Sequence, residues 1–178
     1  MIYFESERLL FRDWEDKDID MFINMNQDRD VMAYFAHMPT EPQIMTFLQA
    51  IKAEFEQYGY GLYAVETKSD EKCIGFIGFH WATFEAEFTP CIEIGWRLVK
   101  EAWGNGYATE GAKACLAYGF NELKFKDVYS FTTKLNTRSE NVMRKIGMSK
   151  CLEFDHPRVD RNSKLLRHVL YHIGNETK

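Results

Sequence analysis

The sequence predicts an α/β fold in which helices pack on a mixed β-sheet, and three observations support this prediction. Apolar residues recur every three or four positions in two long segments, which is the helical period. They alternate with polar residues in several shorter segments, which is the strand period. The order β, α, α, β, β, β, α, β, α, β, β fits neither purely parallel winding nor an all-β sandwich. It predicts about seven strands, antiparallel in the first half and joined by parallel crossovers in the second.

The first long helix is predicted from Thr40 to Tyr58. Thr40 and Gln43 form a capping box, and Pro42 lies in the first turn, where a missing N–H is harmless. Gly59 follows as a stop signal. A shorter helix is predicted before it, from about Asp16 to Asn26.

Two further helices are predicted in the second half of the chain. The second long helix begins after the turn Trp103-Gly104-Asn105-Gly106, and its small residues predict close packing on the sheet. A short helix is predicted from Thr137 to Ile146. Thr137 and Glu140 satisfy a capping box at its start, and Gly147 marks its end.

Period-two alternation predicts further strands after the N-terminal one. They are Leu62–Glu66, Cys73–Trp81, Cys91–Val99, Val128–Thr133, Met148–Phe154 and Leu166–Ile173. In the strand Cys91–Val99, one face carries the apolar side chains of Ile92, Ile94, Trp96 and Leu98. The other face carries Glu93, Gly95 and Arg97.

Length and composition predict a single globular domain over residues 1–178, because 46% hydrophobic and 15% aromatic residues are too many for a disordered chain. The net charge of −5, with acidic residues spread along the chain, argues against a nucleic-acid partner. No stretch approaches the roughly 20 apolar residues of a membrane span. The N-terminus meets acidic residues where a signal peptide needs a basic start. We therefore expect a cytoplasmic protein with no membrane partner.

Cysteine and histidine spacing predicts neither disulfides nor a metal site. The four cysteines stand at positions 73, 91, 115 and 151 without a Cys-x-x-Cys pair, so we expect reduced, buried thiols. His168 and His172 have the separation of a helical metal pair, but their segment has the pattern of a strand and no third ligand is evident.

Two polar helix starts are candidates for binding an anion. After the strand that ends at Val99, a glycine turn opens a helix and directs backbone N–H groups and the helix dipole to one place. The turn is not a Walker A loop, and as Gly-x-Gly-x-x-Gly it fails at Thr109. The segment Asn136–Met148 repeats the arrangement after the next strand. The glycine turn alone is equally typical of ordinary helix initiation, and the second segment alone is more typical of it, whereas two in succession indicate one shared anionic ligand.

Together these segments resemble the GNAT superfamily of acetyl-CoA-dependent N-acetyltransferases. The glycine turn matches the pattern Gln/Arg-x-x-Gly-x-Gly/Ala as Trp103-x-x-Gly106-x-Ala108, and Asn136-x-x-Ser139 with Lys145–Met148 matches the following motif. The segments Ser6–Trp14, Ile94–Trp96 and Asp155–Arg158 resemble the branch that acetylates N-terminal alanines of ribosomal proteins. The likeness extends from about Glu5 to Ile173.

The resemblance implies a twisted mixed sheet with helices on both faces and a splayed pair of parallel strands at the cofactor site. It implies acetyl-CoA as the acetyl donor and no metal. The residues it assigns to cofactor binding are Leu98, Trp103, Gly104, Asn105, Gly106, Tyr107, Ala108, Thr109, Asn136 and Arg144. Because Trp103 stands at the Gln/Arg position, we expect backbone N–H groups to supply most pyrophosphate contacts.

Candidate catalytic residues come partly from the resemblance. Met143 stands where many members carry a tyrosine that protonates the leaving thiolate, and methionine has no proton to donate. The resemblance transfers that role to Ser139, which is otherwise a solvated first-turn serine. Glu93 is the candidate to accept the proton of the amine, directly or through water, and the alternative is a structural ion pair. By analogy Phe35 and His156 line the acceptor pocket, although aromatic residues are more often core.

The resulting hypothesis is an acyltransferase that moves an acetyl group from acetyl-CoA to a primary amine by direct transfer in a ternary complex. The acceptor is a protein N-terminus, a small amino compound or a polyamine, and the protein is a monomer or homodimer. A catalytically weak acyl-CoA-binding sensor or interaction module is the alternative, because Met143 replaces the tyrosine. An unrelated nucleotide-binding domain is disfavoured, since both phosphate-loop patterns fail.

Overall fold

A computed structural model describes residues 1–175, so the last three residues of the predicted domain, 176–178, lie outside the described residues. Within residues 1–175 the chain forms eight strands and four α-helices, with short 3₁₀ turns at Asp16–Asp18 and Lys100–Ala102. Their bounds are β1 Ile2–Glu5, β2 Leu9–Arg12, α1 Ile19–Gln27, α2 Glu41–Tyr58, β3 Leu62–Thr67, β4 Cys73–Ala82, β5 Cys91–Leu98, α3 Tyr107–Asn121, β6 Asp127–Thr133, α4 Thr137–Lys145, β7 Ser149–Asp155 and β8 Arg167–Gly174.

All eight strands form one sheet in the order β1-β2-β3-β4-β5-β6-β8-β7. Only β5 and β6 pair in parallel, and every other neighbouring pair is antiparallel. The predicted mixed sheet is therefore confirmed, but its second half contains one parallel crossover and not several, because β8 pairs antiparallel with both β6 and β7. There are eight strands rather than about seven because the N-terminal strand divides at Ser6, whose backbone N–H donates to the carbonyl of Leu9 at 2.9 Å and turns the chain back on itself.

Helices cover both faces of the sheet, as predicted. Helices α1 and α2 pack on one face, where Phe22, Ile44 and Leu48 meet the strand residue Phe76. Helices α3 and α4 pack on the other face, where they share a core with Ile94 and other strand residues. The two faces of β5 therefore look toward different helix pairs.

Close packing fixes α3 against the sheet, as its small residues predict. A Cβ atom on Gly111 would lie 2.4 Å from Cδ1 of Ile77, and one on Gly119 would lie 2.6 Å from Cζ of Phe79. Neither distance is possible without displacing a neighbour. Only glycine lets α3 lie this deep, and the helix then begins at the edge of the sheet where β5 ends.

Strands β5 and β6 separate shortly after they meet. Their ladder contains a single residue pair, Glu93 with Tyr129. The Ser130 hydroxyl donates to the carbonyl of Ile94 at 2.9 Å and marks the last link between them. Beyond that point β5 pairs only with β4, and β6 only with β8. The carboxyl ends of β5 and β6 thus present two facing edges, which is the splayed pair that the resemblance implies.

The observed cap of α2 agrees with the predicted cap, and that of α4 does not. The capping box at Thr40 and Gln43 is confirmed, and α2 ends at Gly59 in the left-handed region with φ 74°. The prediction of a capping box at Thr137 and Glu140 is wrong. Asn136 caps α4 instead, and the Glu140 carboxylate accepts a hydrogen bond from the Tyr171 hydroxyl at 2.8 Å.

The four cysteines carry free thiols, as predicted, but their predicted burial is only partly right. Cys91 and Cys115 are buried and Cys73 is half-buried, whereas Cys151 is exposed. Cys151 lies on β7, the last strand at one edge of the sheet, where little packs over it. Within residues 1–175, no helix has both the length and the apolar composition needed to cross a membrane.

Candidate active site

The glycine turn after β5 presents unpaired backbone N–H groups at the start of α3. Gly104 and Gly106 have φ of 76° and 78°, the left-handed region that favours glycine. Gly106 is the N-cap, and the first N–H within α3 to find a helical partner is that of Glu110, which donates to the Gly106 carbonyl at 3.0 Å. The N–H groups of residues 107–109 make no hydrogen bond with any residue in 1–175. Unpaired N–H groups at the start of a helix are a favourable place for an anion to bind.

Side chains in the same turn stabilise the turn itself. The Trp103 indole N–H donates to the carbonyl of Leu98 at 3.0 Å. The Asn105 amide donates to the carbonyls of Ala102 and Trp103, each at 3.1 Å. The arrangement leaves the backbone N–H groups of the helix start to meet a ligand.

The start of α4 lies across from this turn, on the other side of the gap between the carboxyl ends of β5 and β6. The Asn136 side chain accepts the Ser139 backbone N–H at 3.2 Å and donates to the Ser139 hydroxyl oxygen at 3.1 Å. The Arg138 guanidinium stacks on the Trp103 ring at 4.5 Å and so joins the two helix starts. The structure therefore brings together the predicted residues of the glycine turn with Asn136 and Ser139.

Arg144 and Met143 lie elsewhere on α4. Arg144 is in the last turn, ~12 Å from Asn136 by helical rise, and pairs with Glu140 at 2.9 Å. Its side chain is thus held on the outer surface of the helix rather than at the gap. Met143 is buried in the core between α4 and the sheet.

Glu93 lies on the face of β5 that looks toward α1 and α2. Its direct neighbour across the sheet is His80 on β4, and Nδ1 of His80 lies 2.6 Å from a carboxylate oxygen of Glu54 on α2. Burial raises the pKa of Glu93 to about 7; the charge of Glu54 adds to this and that of His80 opposes it. A carboxyl group with this pKa is half ionised near neutral pH, which suits a group that accepts and releases protons.

His80 is a candidate that the sequence did not single out. The hydrogen bond to Glu54 raises the pKa of His80, so the imidazolium is favoured beside Glu93. Its position becomes meaningful only through the register of β4 and β5, which pairs His80 with Glu93. The alternating pattern of each strand alone contains no such information.

Arg97 is a second residue that the sequence placed on the Glu93 face without a role. Its guanidinium stacks on the rings of Phe35 at 4.3 Å and Phe76 at 5.2 Å, and it donates a hydrogen bond to the side-chain oxygen of Asn26. Phe35, in the segment between α1 and α2, is 46% exposed. The predicted acceptor residue Phe35 therefore lies over the carboxyl end of β5.

His156 lies on the other side of the gap, just after β7. Its ring is 4.5 Å from that of Phe84 and 5.0 Å from that of His168. Burial, followed by the charges of His168 and Arg158, lowers the pKa of His156 to about 4. Among the described residues no contact joins His156 to Phe35, so the two predicted pocket residues lie in separate aromatic clusters.

A mixed sheet opened between two parallel strands, with two helix starts at the opening, is the architecture of a GNAT-family acetyltransferase. The chain belongs to the GNAT acetyltransferase family, whose acetyltransferase (GNAT) domain matches residues 8–149. Membership of this superfamily, which the resemblance implied, is confirmed.

Individual relatives agree with this membership. The chain is 33% identical over 144 residues to the uncharacterized protein YkkB of Bacillus subtilis, covering 80% of this chain and 83% of the relative. It is similar to the structure of a GNAT-family acetyltransferase from Bacillus anthracis, with 29% identity, a TM-score of 0.80 and 99% of each chain covered. A ribosomal-protein-S5-alanine acetyltransferase from Vibrio fischeri shares the fold, with a TM-score of 0.77, 17% identity and coverage of 99% of this chain and 98% of the other.

Proposed function

We propose that the protein is an N-acetyltransferase that moves an acetyl group from acetyl-CoA to a primary amine by direct transfer in a ternary complex. One observation carries the proposal. Glu93, with a pKa of about 7, lies on β5 at the point where β5 and β6 separate. The unpaired N–H groups of α3 begin at the carboxyl end of the same strand. A proton acceptor and an anion site on one strand are what acetyl transfer to an amine requires.

The residues at the gap fit acetyl-CoA. The N–H groups of residues 107–109 and the N-terminus of α4 suit its phosphates, and a Cβ atom on Gly104 would meet nothing within 4 Å, so the turn leaves room. The facing edges of β5 and β6 suit an extended chain of amides. When bound, acetyl-CoA supplies a thioester with a thiolate leaving group. The two hydrogen bonds between Asn136 and Ser139 support a role for Asn136 in ordering the start of α4.

Glu93 and Ser139 have separate tasks in this proposal. An acceptor amine must lose a proton, and the burden is greater for an alkylamine with a pKa near 10.4 than for an α-amine near 7.7–8.0. Glu93 accepts that proton directly or through water. The Ser139 hydroxyl oxygen already accepts a hydrogen bond from Asn136, which leaves its own proton free to be donated.

A second candidate function is an acyl-CoA-binding sensor. The observation that favours it is the burial of Met143, at 1% exposure, in the place where many family members carry a tyrosine. A sensor binds acyl-CoA without turnover, so a turnover measurement separates the two functions.

The first experiment measures thiol release from acetyl-CoA with polyamines, amino acids and peptides beginning with Ala or Ser. Replacing Glu93 with Gln removes the proton acceptor, so we expect kcat/KM for the acceptor to fall by roughly 10²–10⁴-fold. Glu122→Gln, which changes an exposed carboxylate just after α3, is the matched control and keeps full activity.

Thermal shift with CoA measures binding in the same samples, because a ligand that binds only the folded state raises Tm. A shift without thiol release for any acceptor of the panel supports the sensor and counts against transfer to these classes of amine. Failure of saturating CoA to shift Tm contradicts both.

A further inference from the structure

Arg97 is a half-buried cation without a carboxylate partner. No carboxylate oxygen in residues 1–175 lies within 4.0 Å of its guanidinium, and its one hydrogen bond goes to the neutral amide of Asn26. Arg12, the other arginine beneath the α1–α2 layer, shows the usual solution. Its guanidinium lies 2.7 Å from Asp18 and 2.7 Å from Glu66. Buried charges are normally paired in this way, so Arg97 is an exception.

Aromatic rings compensate only part of the lost hydration of Arg97. The faces of Phe35, Phe76 and Phe47 lie 4.3, 5.2 and 5.6 Å from its guanidinium carbon. These contacts leave most of its N–H donors without an acceptor. The only fully buried polar side-chain atom without a hydrogen bond in residues 1–175 is the Tyr63 hydroxyl. The remaining N–H groups of Arg97 are therefore not fully buried and keep the capacity to donate to an anion.

The strand surface between Arg97 and Glu93 is open directly above Gly95. Gly95 lies between them on the same face of β5, and a Cβ atom built there meets nothing within 4 Å. The Cα atoms of Glu93 and Arg97 lie ~13 Å apart by strand rise. Strand side chains stand roughly perpendicular to the sheet, so these two form the ends of a slot with Gly95 as its floor.

We propose that Arg97 is an anion subsite for the acetyl acceptor, which is a small molecule with its amine directed to Glu93 and a carboxylate, several bonds away, bound by Arg97. The inference rests on the proposed function, because it takes the occupant of the slot to be the acceptor. An α-amino acid, whose charges are adjacent, is too short to span the slot, whereas an ω-amino acid spans it. A polyamine brings a second cation to Arg97 and is disfavoured.

Matched acid and amide acceptors test the subsite in the unaltered protein. We expect kcat/KM for 6-aminohexanoate to exceed that for 6-aminohexanamide by ~10-fold or more, because a charge-assisted hydrogen bond is lost in the amide. Glycine and 1,5-diaminopentane should be poorer than the acid. Equal rates for acid and amide, or preference for the diamine, overturn the subsite while leaving the acetyltransferase intact.

Binding in the absence of turnover separates the subsite from the proposed function. Calorimetric titration should give a lower Kd for 6-aminohexanoate than for its amide. Acid-selective binding with no acetylation of any amine contradicts the proposed function and supports the subsite. Binding of both ligands with one Kd, or of neither, contradicts the subsite.

Substitutions at Arg97 and Gly95 test whether the acid preference arises at the proposed subsite. In Arg97→Met the acid-to-amide ratio should fall to about one, whereas Lys113→Met, which removes an exposed cation from α3, should keep the ratio of the unaltered protein. If Arg97→Met does not fold, Gly95→Val provides an independent variant, because its side chain has room and fills the slot. It should raise the Kd of the acid by ~10-fold or more at unchanged Tm. An undiminished acid preference in Arg97→Met, or an unchanged Kd of the acid in Gly95→Val, overturns the proposal.

Discussion

At the scale of single residues, the raised pKa of Glu93 suits proton transfer but lowers the stability of the fold above neutral pH. Burial raises its pKa to about 7 from an ordinary 4.5, so the folded state holds the proton more tightly than the unfolded chain. The stability associated with this proton is fully present below pH ~4.5 and is lost as pH rises through ~7. Above neutrality the fold therefore contains a poorly solvated carboxylate.

Glu93→Gln should consequently stabilise the protein at pH 8 and not at pH 4. A neutral amide removes the buried charge at pH 8, whereas at pH 4 the glutamic acid is itself neutral. We expect Tm to rise by ~3 °C or more at pH 8, which corresponds to about 1 kcal/mol in a chain of this size. Differential scanning calorimetry at the two pH values measures this. An equal change at both pH values would show that the effect comes from packing rather than charge.

His80 gives a second residue-scale prediction, which concerns the pH dependence of activity. The acid limb of kcat/KM for the acceptor should rise with pH through ~7 as Glu93 ionises. The imidazolium of His80, favoured by Glu54, opposes the rise in the pKa of Glu93. Replacing His80 with Gln should move the limb to higher pH. His172→Gln, on β8, is the control, and a limb that stays in place in His80→Gln excludes the pairing.

At the scale of elements, the start of α3 depends on Gly106 adopting φ of 78°. Gly106→Val should destabilise the fold by roughly 1–2 kcal/mol, because a β-branched residue is strained in the left-handed region. It should also abolish the CoA-induced rise in Tm, since the N–H groups of residues 107–109 lose their orientation. Gly59→Val carries the same strain, at φ 74°, at the end of α2 and should retain the rise in Tm.

Thermal shift with and without CoA compares the two glycine variants directly. Loss of the response in both would mean that destabilisation alone explains it. Retention in both would remove the glycine turn from the binding site.

The sequence predicts elements well where one local pattern determines them, and poorly where two patterns compete. The long helix over residues 41–58 has a capping box and a glycine stop that agree, and both are present. At the start of α4, Asn136 and Thr137 are both good N-caps, and only the packed position of Glu140 against Tyr171 decides between them. The pairing of His80 with Glu93 and the stacking of Phe35 on Arg97 join distant segments. The hydrophobic periodicity of the sequence predicts neither of these two contacts.

At the scale of the whole molecule, two arginines beneath the same helix layer contribute unequally to stability. Arg12 joins the N-terminal hairpin, the start of α1 and β3 through Asp18 and Glu66. Removing it leaves the buried Asp18 carboxylate without its cation, and Glu66 keeps only Lys17, at 3.6 Å. Arg97 has no carboxylate to leave behind, so removing it relieves a half-buried charge without a counter-ion, at the cost of the hydrogen bond that it donates to the buried Asn26. Residues shaped for a ligand commonly reduce stability in this manner.

Chemical denaturation of Arg12→Met and Arg97→Met tests this division. We expect Arg12→Met to lower the free energy of unfolding by about 3–5 kcal/mol, as when one partner of a buried ion pair is deleted. Arg97→Met should lower it by less, about 1–3 kcal/mol, since methionine retains the apolar contacts with Phe35 and Phe76 but leaves the buried side-chain oxygen of Asn26 without its donor. A comparable loss in both variants would make Arg97 a structural link between β5 and the α1–α2 segment. The acid preference of the acceptor site would then need another cation, and the slot over Gly95 would lose its assigned anion.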